Sequence, residues 1–204
     1  KREMVQYPHP QGLPALRELI ATKLENQRGM NVDPDQVVLT PGSGQAISLF
    51  TQLFTNPGDT LITEEFTYSG TLNVMRRFGA NIVGVPLDLE GMRPDALAQT
   101  IQDLQREGRR PKFIYTIPTF QNPTGADMGP QRRQEILSVA QEYSIPIYED
   151  DCYADLRFEG QAASAIHAYD DSGMVLYSGT FSKIVAPGMR IGWMVAPKEI
   201  VARI

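Results

Sequence analysis

Seven short runs rich in β-branched and aromatic residues recur along the 204-residue chain: Val37–Thr40, Thr60–Thr63, Ile82–Val85, Lys112–Ile117, Ile145–Glu149, Met174–Ser178 and Ile191–Ala196. Most are continuously apolar. A strand with one solvated face alternates in polarity, whereas a strand covered on both faces does not. Helix-length segments separate the first five runs. Another helix precedes them, opening at Gly12-Leu13-Pro14 and ending at Gly29, with proline in its first turn and glycine just past its end. Leu16, Leu19, Ile20 and Leu24 share one face of it. Ser43–Phe54 repeats the pattern with Ile47, Phe50, Leu53 and Phe54 apolar. Tyr68–Phe78 stops at Gly79 and Pro94–Arg106 at Gly108, while Pro130–Tyr143 turns Ile136, Leu137 and Ala140 inward. Strand alternating with helix predicts one α/β domain over residues 1–204, a three-layer α/β/α arrangement around a seven-stranded, mainly parallel sheet.

Composition narrows the functional classes. With 42% apolar and 21% charged residues, the chain is an ordinary globular sequence and not a disordered or fibrous one. The net charge of −5 gives no support to a nucleic-acid surface. One cysteine excludes a disulfide framework, and His9 and His167, the two histidines, make a histidine metal cluster an unlikely design. No membrane-length apolar run and no signal-peptide pattern is present, so a soluble cytoplasmic protein is expected. The opening Lys1-Arg2-Glu3 and the close at Arg203-Ile204 suggest a piece of a longer protein.

In a parallel α/β sheet, ligands sit beyond the carboxyl ends of the strands. After the first run comes Pro41-Gly42-Ser43-Gly44-Gln45 at a helix start, where free N–H groups and the helix dipole suit a phosphate. The same turn could open a dinucleotide fingerprint, with Glu64 or Glu65 as the ribose acid, but Ile47 stands where the third glycine belongs. After the fourth run, Pro118-Thr119-Phe120-Gln121-Asn122-Pro123-Thr124-Gly125 makes a stiff loop presenting Asn122. After the fifth come Glu149, Asp150 and Asp151, then Cys152 and Tyr153. Three adjacent acids repel one another and are costly to bury without partners. Metal binding, a solvated acidic turn, or a carboxylate facing a fixed cation of a ligand all remain open. Cys152 has no histidine placed to activate it and reads as a small buried residue. After the sixth run come Thr180, Ser182 and Lys183, then Arg190. An amine after a buried strand, beside another cation, is a candidate for Schiff-base chemistry with a lowered pKa.

One ligand satisfies these strand ends together: a phosphate for the glycine turn, Thr180, Ser182 and Arg190; an aldehyde for Lys183; a ring nitrogen for Asp150; and a ring hydroxyl for Asn122 and Tyr153. Pyridoxal 5′-phosphate carries all four groups.

The motifs TPGSGQA (40–46), FTYSGTL (66–72), NPTG (122–125), YEDDCY (148–153) and SGTFSKIVAPGMRIGW (178–193) resemble the fold type I, class I/II aminotransferases. The opening QYPHPQGLPALRELIA resembles their aminoadipate/kynurenine-type subgroup and the aminotransferase-like domains of related bacterial regulators. The resemblance implies that Lys183, Asp150 and Tyr68 are catalytic: Lys183 bonds the cofactor and shuttles a proton, Asp150 pairs with the pyridine nitrogen, and Tyr68 stacks on the ring. It implies further that Asn122 and Tyr153 hold the ring oxygen, that Ser43, Gly44, Gln45, Thr180, Ser182 and Arg190 hold the phosphate, and that Tyr7 reaches the phosphate of a neighbouring subunit in a homodimer. Asp151 is then a supporting acid behind Asp150. Members of the family carry a C-terminal small domain whose arginine grips the substrate carboxylate, and nothing in this chain fills that place. The expected activity is ping-pong amino transfer from an amino acid to a 2-oxo acid. The effector domain of a pyridoxal-phosphate-dependent transcriptional regulator, another reaction of the same cofactor such as a lyase reaction, and a nicotinamide-binding oxidoreductase are the alternatives. No metal, membrane or nucleic-acid role is expected. His9 and His167 are read as loop residues, Met75, Met92 and Met128 as core or loop packing, and Arg76-Arg77 and Arg109-Arg110 as solvated helix ends.

Overall fold

The computed structural model describes Tyr7 and residues 9–204; Gln6 and Pro8 of the opening motif, like Lys1-Arg2-Glu3, lie outside the described residues. Nine strands form: β1 (Val37–Thr40), β2 (Thr60–Glu64), β3 (Asn81–Val85), β4 (Leu87–Asp88), β5 (Gly91–Met92), β6 (Pro111–Thr116), β7 (Ile147–Asp150), β8 (Val175–Thr180) and β9 (Gly192–Val195). The helices are α1 (Pro14–Arg28), α2 (Ser43–Phe54), α3 (Ser69–Arg77), α4 (Pro94–Arg106), α5 (Pro130–Glu142) and the short α6 (Lys198–Val201).

All seven expected strands join one sheet in the order β1-β9-β8-β7-β6-β2-β3. The run β3, β2, β6, β7, β8 is parallel, whereas β9 pairs antiparallel with both β8 and β1. The tiny β4–β5 hairpin is an addition that the sequence reading does not contain; two residues per strand are too short to show a period. Strands β2, β7, β8 and β9 are buried at every position, and β3, at the sheet edge, is partly exposed.

The two-residue pleat sorts side chains between the layers. One face packs Leu61, Phe113, Tyr115, Tyr148, Leu176 and Met194 against Ile47 and Phe50 of α2 and Met75 of α3. The other carries Ile62, Ile114, Ile147 and Val175 against α4 and α5, continuing through Tyr177, Trp193 and Val195 to Ile20 and Leu24 of α1. The three-layer expectation therefore holds. One helix face differs from the reading: α1 buries Arg17, Ile20, Ala21, Leu24 and Arg28, while Leu19 is 60% exposed. Leu19 sits one residue, or about 100°, from Ile20 and falls outside the stripe. Met75, Met92 and Met128 are core residues.

Candidate active site

The carboxyl ends of β1, β6, β7 and β8, with the start of β9, enclose a cavity of about 280 Å³. Its wall includes Ser43, Gly44, Tyr68, Asn122, Asp150, Tyr153, Thr180, Ser182, Lys183 and Arg190. Ile117 and Cys152 complete it. Ten of the twelve residues that the sequence marks out for a cofactor thus converge. Gln45 does not line the cavity; it stands exposed on the first turn of α2, and its N–H donates to Gly42 O at 3.1 Å. Tyr7 is fully exposed and also lies off the wall.

At one end the cavity is built for an anion. Gly42 takes φ +84° as the N-cap of α2, a conformation that favours glycine. A Cβ there would strike the Arg190 guanidinium, and a Cβ on Gly192 would come within 2.6 Å of Ser43 N, so β9 and the turn need both glycines to approach this closely. Arg190 itself holds φ +52°, an uncommon conformation for a side-chain-bearing residue and one that recurs at ligand sites. Its guanidinium donates to Ser182 Oγ and Pro41 O, both at 3.3 Å, and spans the gap between the glycine turn and the β8–β9 segment. Ser182 N donates to Thr180 Oγ1 at 3.1 Å, and the two hydroxyls lie 3.0 Å apart.

At the other end, the alternation of side chains at the close of β7 and just past it separates the three acids. Glu149, Asp150 and Asp151 point alternately to opposite faces, and each meets its own partners. Glu149 accepts from the N–H groups of Ile166 and His167 at 2.9 Å and faces Arg133 of α5 at 3.4 Å. Asp151 pairs with Arg28 of α1 at 2.5 Å and accepts from Tyr177 Oη at 3.1 Å. Asp150, on the cavity side, accepts from Tyr115 Oη at 2.7 Å, Cys152 Sγ at 2.8 Å and Ser178 Oγ at 3.4 Å. The solvated acidic turn considered from sequence is ruled out: all three are buried. Burial is the largest influence on Asp150 and raises its pKa, while the hydrogen bonds from Cys152 and Tyr115 pull it down. Burial, reinforced by the Asp150 charge, pushes the Cys152 thiol well above its ordinary value, which makes it a poor nucleophile. His167 sits in a 3₁₀ turn, not a loop, and holds Glu149 through its backbone.

Asn122 Nδ2 donates to Tyr153 Oη at 2.9 Å, joining the β6 and β7 ends. Lys183 Nζ lies 5.9 Å from the centre of the Tyr153 ring. Lys183 is exposed, so the desolvation expected from its place after a buried strand is not supplied by the described residues. Tyr68 is half-exposed at the N-terminus of α3. Of the two candidate ribose acids of the dinucleotide alternative, Glu65 is exposed, and Glu64 is wholly buried and accepts hydrogen bonds from Thr116, Ile117, Gln121 and Thr67. The glycine turn, moreover, follows an edge strand paired antiparallel. Both observations remove that alternative.

The sequence reading misses Tyr115, Ser178, Arg28 and Arg133. The first two lie inside strand runs covered on both faces, where periodicity does not distinguish a site residue from core. Both arginines are on helices, where an arginine ordinarily marks a solvated face.

The family model for aminotransferase class I and II matches residues 1–204. Aromatic-amino-acid aminotransferase 1 of Thermococcus litoralis is 39% identical over 202 residues, covering 99% of this chain and 48% of that protein. The uncharacterized HTH-type transcriptional regulator YisV of Bacillus subtilis is 35% identical over 198 residues, covering 97% of this chain and 40% of the relative. A crystal structure of Pyrococcus horikoshii kynurenine aminotransferase in complex with PMP superposes with a TM-score of 0.92 at 39% identity, covering 98% of this chain and 50% of that one. The chain therefore spans about half the length of the relatives it matches.

Proposed function

The chain belongs to the class I and II aminotransferases, and from that premise we propose that its cavity holds pyridoxal 5′-phosphate and that the protein moves an amino group from an amino acid to a 2-oxo acid. The observation that carries the reading is the shared cavity itself: a buried carboxylate, an amine, and an anion cradle of α2, Arg190, Thr180 and Ser182 line one space. These groups match in kind the ring nitrogen, aldehyde and phosphate of that molecule. Bound there, the cofactor supplies an aldehyde that condenses with amines and a ring that takes up the electron pair left when the substrate loses its α-proton.

The protein's part is placement and proton transfer. The α2 N-terminus and Arg190 hold the phosphate, the latter through charge-assisted donors. Asp150, fixed by Tyr115, Cys152 and Ser178, would hold the ring nitrogen and favour its protonated form. Asn122 and Tyr153 act as a pair on the ring oxygen. Tyr68, on the cavity wall, would cover one face of the ring. Lys183 would supply the amine that joins the cofactor aldehyde, and the same amine, lining the cavity, would take the proton from the substrate α-carbon and return it to the neighbouring cofactor carbon, an effectively intramolecular transfer.

We carry forward a cytoplasmic homodimer in which Tyr7 serves the neighbouring site. In support, Tyr7 is fully exposed, and Ile184, Val185 and Met189 expose apolar surface beside Lys183. No helix among the described residues is long and apolar enough to cross a membrane. A second reading, the effector domain of a transcriptional regulator, has the match to YisV behind it and uses the same cavity. An amino-donor screen on the full-length protein loaded with pyridoxal 5′-phosphate separates the two. Catalytic conversion of the aldehyde form to the amine form, reversed by a 2-oxo acid, supports the transferase; cofactor binding without turnover for any donor refutes it.

A further inference from the structure

Glu64, at the end of β2, is a wholly buried carboxyl with no cation beside it and no part in the chemistry above. Its four side-chain hydrogen-bond partners come from the loop after β2 and from the end of β6 with the loop that follows it. Oε2 accepts from Thr67 Oγ1 at 2.9 Å and from Gln121 Nε2 at 3.0 Å. Thr67 is the residue before Tyr68, and Gln121 the residue before Asn122. Oε1 accepts from Thr116 Oγ1 at 2.7 Å and Ile117 N at 2.8 Å, where β6 gives way to the Asn122 loop. Gln121 extends the junction: its Nε2 also donates to Phe66 O at 2.6 Å, and its Oε1 accepts from Thr124 N at 3.0 Å.

Resting on the cofactor reading above, we propose that Glu64 is a positioning residue: one carboxyl binds the loop bearing Tyr68 to the loop bearing Asn122 and thereby sets the distance between the group that covers the cofactor ring and the group that holds its ring oxygen. The donor inventory explains why a carboxyl is needed. Ile117 N–H and Gln121 Nε2 can only donate, the Gln121 Oε1 being turned to Thr124, whereas the two threonine hydroxyls can rotate to accept. A carboxylate accepts from all four; a protonated carboxyl gives its hydrogen to a threonine and still accepts. An amide in the same place turns an NH₂ group towards either Ile117 N–H or Gln121 Nε2, and one loop is released. Burial pushes Glu64 up to about 7, and hydrogen bonds, chiefly from Thr116 and Gln121, oppose that rise.

The test is a double-mutant cycle on the full chain, read by titration with pyridoxal 5′-phosphate and by visible circular dichroism of the bound cofactor. Glu64→Gln is expected to weaken binding about tenfold, equivalent to about 1.4 kcal/mol, and to change the dichroism. Lys183 and Arg190, on another segment, still anchor the molecule. In a Tyr68→Ala/Asn122→Ala background the same substitution is expected to cost less than about twofold, because coupled residues are not additive. An unaltered affinity, or the full loss repeated in that background, overturns the proposal. Should Glu64→Gln fail to fold, Thr67→Val removes one donor on the Tyr68 side alone; a loss of roughly threefold that vanishes in Tyr68→Ala supports the clamp, and no loss overturns it. If the wild type does not bind the cofactor, the cofactor reading falls, and hydrogen exchange still decides the clamp. Faster exchange at Ile117 and Thr124 in the variant supports it, and unchanged protection overturns it.

Discussion

Tyr115 Oη donates to Asp150 Oδ2 at 2.7 Å, with both side chains buried and Thr71 of α3 donating in turn to Tyr115 at 3.1 Å. The acid that faces the cavity is therefore fixed by a strand neighbour, itself tied to the helix that Tyr68 caps. A hydrogen bond to a charged acceptor is worth about 1.5–3 kcal/mol, and this one opposes the rise that burial imposes on Asp150.

Tyr115→Phe removes that opposition. The Asp150 carboxyl then titrates higher, and the protonated ring nitrogen loses part of its support as pH falls. We expect kcat/KM to drop about tenfold, or about 1.4 kcal/mol, with the acid limb of the pH–rate profile moved to higher pH and cofactor affinity little changed. Steady-state kinetics from pH 5 to 9 checks this; an unmoved acid limb contradicts it.

Anchoring and chemistry occupy opposite ends of the cavity and separate under mutation. Asp150→Ala leaves the anion cradle intact, so cofactor retention persists while turnover falls by orders of magnitude. Arg190→Ala does the reverse, weakening binding roughly 10–100-fold for a lost charge-assisted contact while saturating cofactor restores most of kcat. Equilibrium dialysis paired with single-turnover rates distinguishes them, and near-normal turnover in Asp150→Ala refutes its assigned role.

Glu64 gives the folded state a pH signature of its own. Its carboxyl is raised from 4.5 to about 7 by burial. The folded chain therefore holds a proton between those values that the unfolded chain has released. Stability from this group is greatest below pH 4.5 and is lost as pH rises through 7. Glu64→Gln lacks this titration. Urea unfolding is expected to show the stability of wild type relative to Glu64→Gln shrinking from pH 5 to pH 8; a growing difference contradicts the assignment.

Much of this was legible from the chain because sheet burial and strand-end placement leave local marks. The unbroken apolar runs announced strands covered on both faces, and glycine, asparagine, acid and lysine at successive strand ends announced a shared site. What stayed hidden depends on contacts remote in sequence. Arg28 and Arg133 lie 123 and 16 residues from the acids they neutralise, and no local pattern links a helical arginine to a distant carboxylate. The acidic triplet is costly to bury without partners, and those partners, Arg133, Arg28 and Tyr115, come from other elements on opposite sides of the sheet. Leu19 shows the converse error: an apolar residue near a buried stripe, but on solvent.

The bond proposed between Lys183 and the cofactor is read directly by borohydride reduction followed by peptide mass spectrometry. The cofactor-loaded wild type is expected to carry the reduced cofactor on the peptide containing Lys183, and Lys183→Ala to carry none. An adduct that persists in Lys183→Ala, or that forms on a different lysine of the wild type, contradicts it.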